Sequence, residues 1–243
     1  MNYIILNGKK STMVKGLMIQ SLPPITKPLM RTRIEEIDGR DGDIVTKLGY
    51  SAYDREMSIG LFGDFDMSEV AQFFDSEGEA IFSNELDKKY KYQIFDQIDY
   101  ERLGRFKQAI IRFHVQPFKY PTVDDSVELS SIATYEIINN YGNVNSKPTL
   151  KVTGDIEGKD TIITISEILP VMFGETIEIL HPTEDEVTID LERMNATYWS
   201  SYIRANRVVR CNYENLRLVP GRNYIACDNA SAVITITNLT RWI

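Results

Sequence analysis

Between Asn139 and Pro148 the chain places four Asn, one Gly, one Ser and one Pro in ten residues, and no helix can cross such a stretch. Gly and Asn tolerate positive φ, and Pro148 pushes its predecessor out of the helical region. Directly behind it, Leu150 and Val152 alternate with Lys151 and Thr153, the period-2 pattern of a half-buried strand starting afresh. The segment reads as a joint between two domains, and a joint of this kind is expected to carry few contacts across it. The domains are drawn at 1–129 and 130–243. The fragment Asn145–Ile243 is then expected to fold alone, unless its core needs the strand Ile132–Ile138, which would move the boundary to near Ser126.

At 243 residues the chain has room for one large or two ordinary domains with a sizeable core. Its longest apolar runs, such as Ile168–Phe173, fall far short of the roughly 20 residues of a membrane span. The opening Met1–Leu6 turns polar at Asn7-Gly8-Lys9-Lys10, unlike a secretory signal, so cytoplasmic synthesis is expected. A formal charge of −8, from 27 basic against 35 acidic residues, works against binding a nucleic-acid backbone. Cys211 and Cys227 stand without a second pair, which favours buried thiols over a disulfide.

The first half alternates strand patterns with turn chemistry. Tyr3–Leu6 ends in Asn7-Gly8, a strong hairpin signal, and Val14–Ile19 is the expected return strand. Pro23, Pro24 and Pro28 suit a loop or an edge, after which Met30–Ile37 resumes a strand. Asp38-Gly39-Arg40-Asp41-Gly42-Asp43 is the densest turn chemistry in the chain. Its aspartates do not match the alternating ligands of an EF-hand, and Gly49 stands where the twelfth-position Glu would be. Asp38, Gly39, Arg40, Asp41 and Gly42 are therefore read as a structural turn needed for fold or assembly, with no metal. Arg55–Phe62 reads as a strand. One helix follows, with Asp66 as its cap, Glu69 completing a capping box, and Met67, Val70, Ala71 and Phe74 as its apolar face. Further strands are expected at Glu79–Phe82, Tyr90–Phe95, with Tyr90, Tyr92 and Ile94 on one side, and Phe106–Val115. Pro117–Asp125 should loosen the chain.

From Leu150 onward short strands and tight turns recur: Thr161–Ile165, the region Met172–Leu180, Val187–Leu191, a Pro220-Gly221 turn and a closing strand Ser231–Thr237. Short strands at regular spacing without a helix indicate a sandwich. The fold class is thus mainly β, in two β-rich domains with one short helix in the first.

Chemistry is hard to find. His114 and His181 are the only histidines, and neither has a Cys or His at ligand spacing, so metal and Ser-His-Asp devices are disfavoured. No glycine-rich phosphate loop occurs. Adjacent acids such as Glu35-Glu36 and Asp124-Asp125 read as solvated surface. Tyr198 and Trp199 near Asn195, with Trp242, are either a sugar-stacking platform or core aromatics.

The chain resembles the distal tail protein family of siphophages and prophages of Gram-positive bacteria. The resemblance rests on Asn7-Gly8; Lys27-Pro28 with Arg31 and Arg33; Ile37 to Gly42 leading to Tyr50; Gly142-Asn143 with Ser146, Lys147 and Pro148; Leu150, Val152 and Gly154; Ile189-Asp190; Val219 to Asn223 with Ile225; and Arg241-Trp242. It implies a structural virion component at the tail tip, assembled in the bacterial cytoplasm, with no enzymatic activity and no cofactor. The amino-terminal domain would build a homo-hexameric ring joining the tail tube protein to the baseplate. A carboxy-terminal galectin-like sandwich would hold tail fibre or receptor-binding proteins, with no nucleic-acid binding and no membrane insertion. A stand-alone carbohydrate-binding module is the alternative from another class, and a glycan hydrolase using two acids comes third.

Overall fold

The computed structural model describes the chain except residues 99–100, 104–105, 131, 133 and 199–202. It divides into two compact units between Thr122 and Val123, both rich in β-structure. No helix among the described residues is long and apolar enough to cross a membrane.

The first unit contains β1 (Ile4–Leu6), β2 (Lys9–Lys10), β3 (Leu17–Ser21), β4 (Met30–Glu36), β5 (Asp43–Tyr50), β6 (Tyr53–Leu61), α1 (Met67–Phe74), β7 (Glu77–Phe82), β8 (Lys88–Gln93), β9 (Glu101–Leu103) and β10 (Phe106–Pro121). Its main sheet is antiparallel in the order β2-β1-β7-β8-β10-β6-β3, with β9 also on β10. Asn7 and Gly8 both take positive φ, 48° and 82°, as a two-residue turn twisted to match its strands requires. The return strand is Lys9–Lys10, with Leu6 opposite Lys9. A short 3-10 turn at Ser11–Met13 then precedes β3, so the expected strand at Val14–Ile19 begins later. β10 is the spine: Lys107–Val115 pairs with β6, and His114–Pro121 pairs with β8 across a bulge after Val115. The chain therefore stays in the sheet through Pro117, where loosening was expected. Ring contacts between Phe82 and Tyr90, Phe82 and Phe113, and Tyr92 and Phe113, at 5.4–5.6 Å, run through the core. The Asp66 carboxylate caps α1 by accepting from the Ser68 N–H at 2.8 Å. Glu69, the expected capping-box partner, faces Lys9 at 3.7 Å. Val70, Phe73 and Phe74 are the buried face, while Ala71 is exposed.

The second unit contains β11 (Val127–Ser130), β12 (Glu136–Asn140), β13 (Thr149–Gly154), β14 (Thr161–Ser166), β15 (Glu175–Ile179), β16 (Glu186–Asp190), β17 (Asn195–Tyr198), β18 (Val209–Cys211), β19 (Gly221–Cys227) and β20 (Ala232–Thr237). They form two five-stranded sheets, β11-β20-β13-β16-β17 and β12-β19-β14-β15-β18. Alternating inward residues of both, such as Leu150, Val152 and Ile234 from one and Ile163, Ile177 and Ile225 from the other, share one core, the arrangement of a sandwich. Two strands lie upstream of the expected joint. β11 pairs with β20 and β12 with β19, while Leu129, Ile132 and Ile138 are in the core. The unit boundary therefore falls ahead of residue 129, and Asn139–Pro148 lies inside the second unit.

Candidate assembly site

β4 and β5 form a sheet of their own. Ile34 faces Val45 and Glu36 faces Asp43, with a register shift beside Arg31. Between them Gly39 and Gly42 take φ of +79° and +78°, which is why glycine sits there, and the Arg40 N–H donates to the Ile37 carbonyl at 3.1 Å. All residues from Arg31 to Asp43 are exposed, and a Cβ on either glycine would meet nothing within 4 Å. Among the described residues no group of His, Cys, Asp or Glu could hold a metal ion. A lone two-stranded ribbon is marginal in water, and this one leaves Ile34, Val45 and Leu48 more than half exposed at 59%, 55% and 53%. Charges interleave with them: Arg33 pairs with Glu35 at 2.7 Å. Such charges discourage indiscriminate edge pairing, while the apolar side chains favour a complementary surface.

The root of the ribbon is anchored. Ser51 N–H donates to the Leu29 carbonyl at 2.9 Å, and Tyr50 meets Phe118 edge-on at 5.8 Å. Arg55, only 3% exposed, has its guanidinium over the rings of Phe82 and Tyr90 at 4.5 and 4.4 Å. Its Nη2 donates to the carbonyls of Pro23 and Pro24 at 3.3 and 3.0 Å, and Asn84 also donates to Pro23 at 3.1 Å. Prolines bring no N–H of their own, so these carbonyls tie the β3–β4 connection to the core. Behind Arg55, the Tyr90 hydroxyl donates to Glu85, which also receives Lys119 at 3.0 Å. Burial alone would raise the Glu85 carboxyl, but the hydrogen bonds from Tyr90 and Lys119 outweigh it and hold the group below the usual carboxylate range. Burial, and then the bond to Glu85, push the Tyr90 hydroxyl far up. The sequence reading missed this knot. Its signal was a cation at the inward parity of a strand, since Arg55 shares its face with Met57, Ile59 and Leu61.

The other singled-out residues are dispersed. His114 Nδ1 faces Asp54 Oδ1 across β10 and β6 at 2.8 Å, with Phe95 stacked at a tilt. His181, in the second unit, sits at positive φ beside Asp160 at 3.3 Å. Cys211 and Cys227 are free, half-buried thiols, both pushed up by burial. Tyr198 is buried at 7% with its hydroxyl accepting from the Thr183 N–H at 3.3 Å, so it serves the core and not a stacking platform. Trp199 lies outside the described residues.

Asn139–Pro148 is a knot. Asn140, 1% exposed, donates to the carbonyls of Val144 and Leu218 at 2.8 and 3.1 Å and accepts from the Gly142 N–H at 2.9 Å. Ser146 and Leu218 exchange both backbone bonds at 2.9 Å, and the Ser146 hydroxyl donates to the Leu239 carbonyl at 2.6 Å. Arg241 Nε donates to the Asn145 carbonyl.

No protein-family model matches the sequence, and no curated protein matches it either. Solved structures do match in fold. The SPP1 Dit (gp 19.1) protein, described as a paradigm of the hub adsorption apparatus of phages infecting Gram-positive bacteria, superposes with a TM-score of 0.68 over 100% of both chains at 14% identity. The fold is Dit-like. A chain of the activated phage p2 baseplate with strontium matches at TM-score 0.55 and 11% identity over 97% of each chain. The calcium form matches at 0.51 and 12%, over 98% of this chain and 97% of the other. The likeness covers both units of the chain.

Proposed function

We propose that this chain is a structural, non-enzymatic component of a phage tail tip, located on the virion and assembled in the bacterial cytoplasm. The observation that carries the reading is the end-to-end match of both units to the SPP1 Dit protein. In it the first unit builds a homo-hexameric ring that joins the tail tube protein to the baseplate. Rings arise from heterologous contacts that close, and the exposed ribbon with its anchored root offers one half of such a contact. The turn Asp38–Gly42 serves that ribbon. The second unit is a platform for tail fibre or receptor-binding proteins, without catalysis.

Electron microscopy of the purified chain, alone and mixed with a phage tail tube protein, tests the reading. Six-fold rings in either preparation are the expected result. Single, unassembled particles in both would overturn it.

A further inference from the structure

We propose that the second unit carries a binding cleft for a neutral saccharide, formed where the end of β14, the start of β15 and the segment Asn215–Arg217 converge. The cleft has a volume of about 400 Å³, within the roughly 300–1,000 Å³ of small-molecule sites. Its floor is apolar: Ile165 and Leu216 are buried at 5% and 0%. On its rim Phe173 is 73% exposed, which leaves its ring open to a ligand.

The cleft is held in shape by its own backbone. Gly174 presses on β14 so closely that a Cβ would meet the Ile165 carbonyl carbon at 2.8 Å and Ser166 Cβ at 2.9 Å. The Ser166 hydroxyl donates to the Ile168 carbonyl at 2.6 Å and accepts from its N–H at 3.2 Å. Phe173 and Glu175, on either side of that glycine, both line the cleft.

Its polar groups come as two planar pairs. Asn215 Nδ2 donates to Glu175 Oε1 at 3.1 Å, and Arg217 Nε stands 3.6 Å from Glu167 Oε1. Amide, carboxylate and guanidinium offer adjacent donors and acceptors in a plane, which suits the vicinal hydroxyls of a pyranose. An aromatic face suits its C–H surface. Two carboxylates against one guanidinium leave the lining with excess negative charge, which disfavours an anionic polymer and selects a neutral sugar. This inference stands apart from ring formation, since every residue in it lies in the second unit.

The test is saturation-transfer NMR on the full chain with neutral hexose, deoxyhexose and N-acetylhexosamine disaccharides, and with a glycerol phosphate oligomer as the anionic probe. At least one disaccharide should give a saturable signal, weakened about tenfold by Phe173→Ala or Asn215→Ala, as the loss of one aromatic or polar contact implies. Both side chains are exposed, so melting temperatures should not change and loss of binding cannot be put down to unfolding. No saturable sugar signal, a signal undiminished in both variants, or tighter binding of the glycerol phosphate oligomer would overturn the proposal.

Discussion

Asp38–Asp43 and Asn139–Pro148 are both dense in turn-forming residues, Asp and Gly in the first and Asn, Gly, Ser and Pro in the second, yet the first is exposed throughout while the second is packed into its unit, with Asn140, Ser146 and Pro148 buried. In the ribbon tip a Cβ on Gly39 or Gly42 would meet nothing. At Gly142 it would collide with the backbone of Arg241. Turn chemistry says where a chain reverses, because Gly and Asn accept positive φ. It does not say whether anything lies on the other side of the turn. That depends on partners far away in sequence, here Leu218 and Leu239.

The largest effect that could break this comparison comes from cutting the chain. A fragment Val123–Ile243 should melt in one cooperative transition followed by circular dichroism. The fragment Asn145–Ile243, lacking β11, β12 and the core residues Leu129, Ile132 and Ile138, should not fold. A cooperative melt of the shorter fragment would restore Asn139–Pro148 as a true linker.

Next comes the root of the ribbon. Glu85→Ala strips the buried Lys119 and Tyr90 of their shared acceptor and should cost about 3–5 kcal/mol, the usual penalty for orphaning one member of a buried pair. Because the folded-state carboxyl lies below its ordinary range, its stabilisation is present above that range and is lost as pH falls through the lower folded value. Calorimetry should therefore find that the first unit weakens in acid, and that Glu85→Gln removes part of this dependence. An acid profile identical in wild type and Glu85→Gln would contradict the linkage.

Asn140→Ala should destabilise the second unit by about 1–3 kcal/mol in urea unfolding, since it leaves two buried carbonyls and an N–H with fewer partners. Smallest is Gly39→Ala: about 1 kcal/mol of local strain confined to a ribbon without tertiary contacts at its tip. The global melting temperature should then stay unchanged, with or without calcium, while proteolysis within 31–49 quickens. A large calcium-dependent rise would revive an ion site.

Much of the first sheet was legible because its strands announce themselves by alternation: Tyr90 and Tyr92 are buried at 1% and 2%, as their shared parity required. The Asp66 cap was legible for the same local reason. The Arg55 and Glu85 knot was not, since its members come from β6, the β7–β8 connection, β8 and β10 and meet only through the sheet's register. β17 and β18 were missed because four and three residues are too few for a period to show. The ribbon's exposure was equally hidden: Ile34, Val45 and Leu48 look like core in a string of letters, and only the topology leaves them without a second layer.

A ribbon that serves assembly and not the fold can be removed without unfolding the chain. Light scattering on the full chain, beside a variant whose residues 31–49 are replaced by a short Gly-Ser turn, with the tail tube protein present in both samples, tests it directly. Six-copy particles are expected for the wild type and single copies for the variant, at an unchanged melting temperature. Six-copy particles from the ribbonless chain, or a variant that no longer folds, would contradict it.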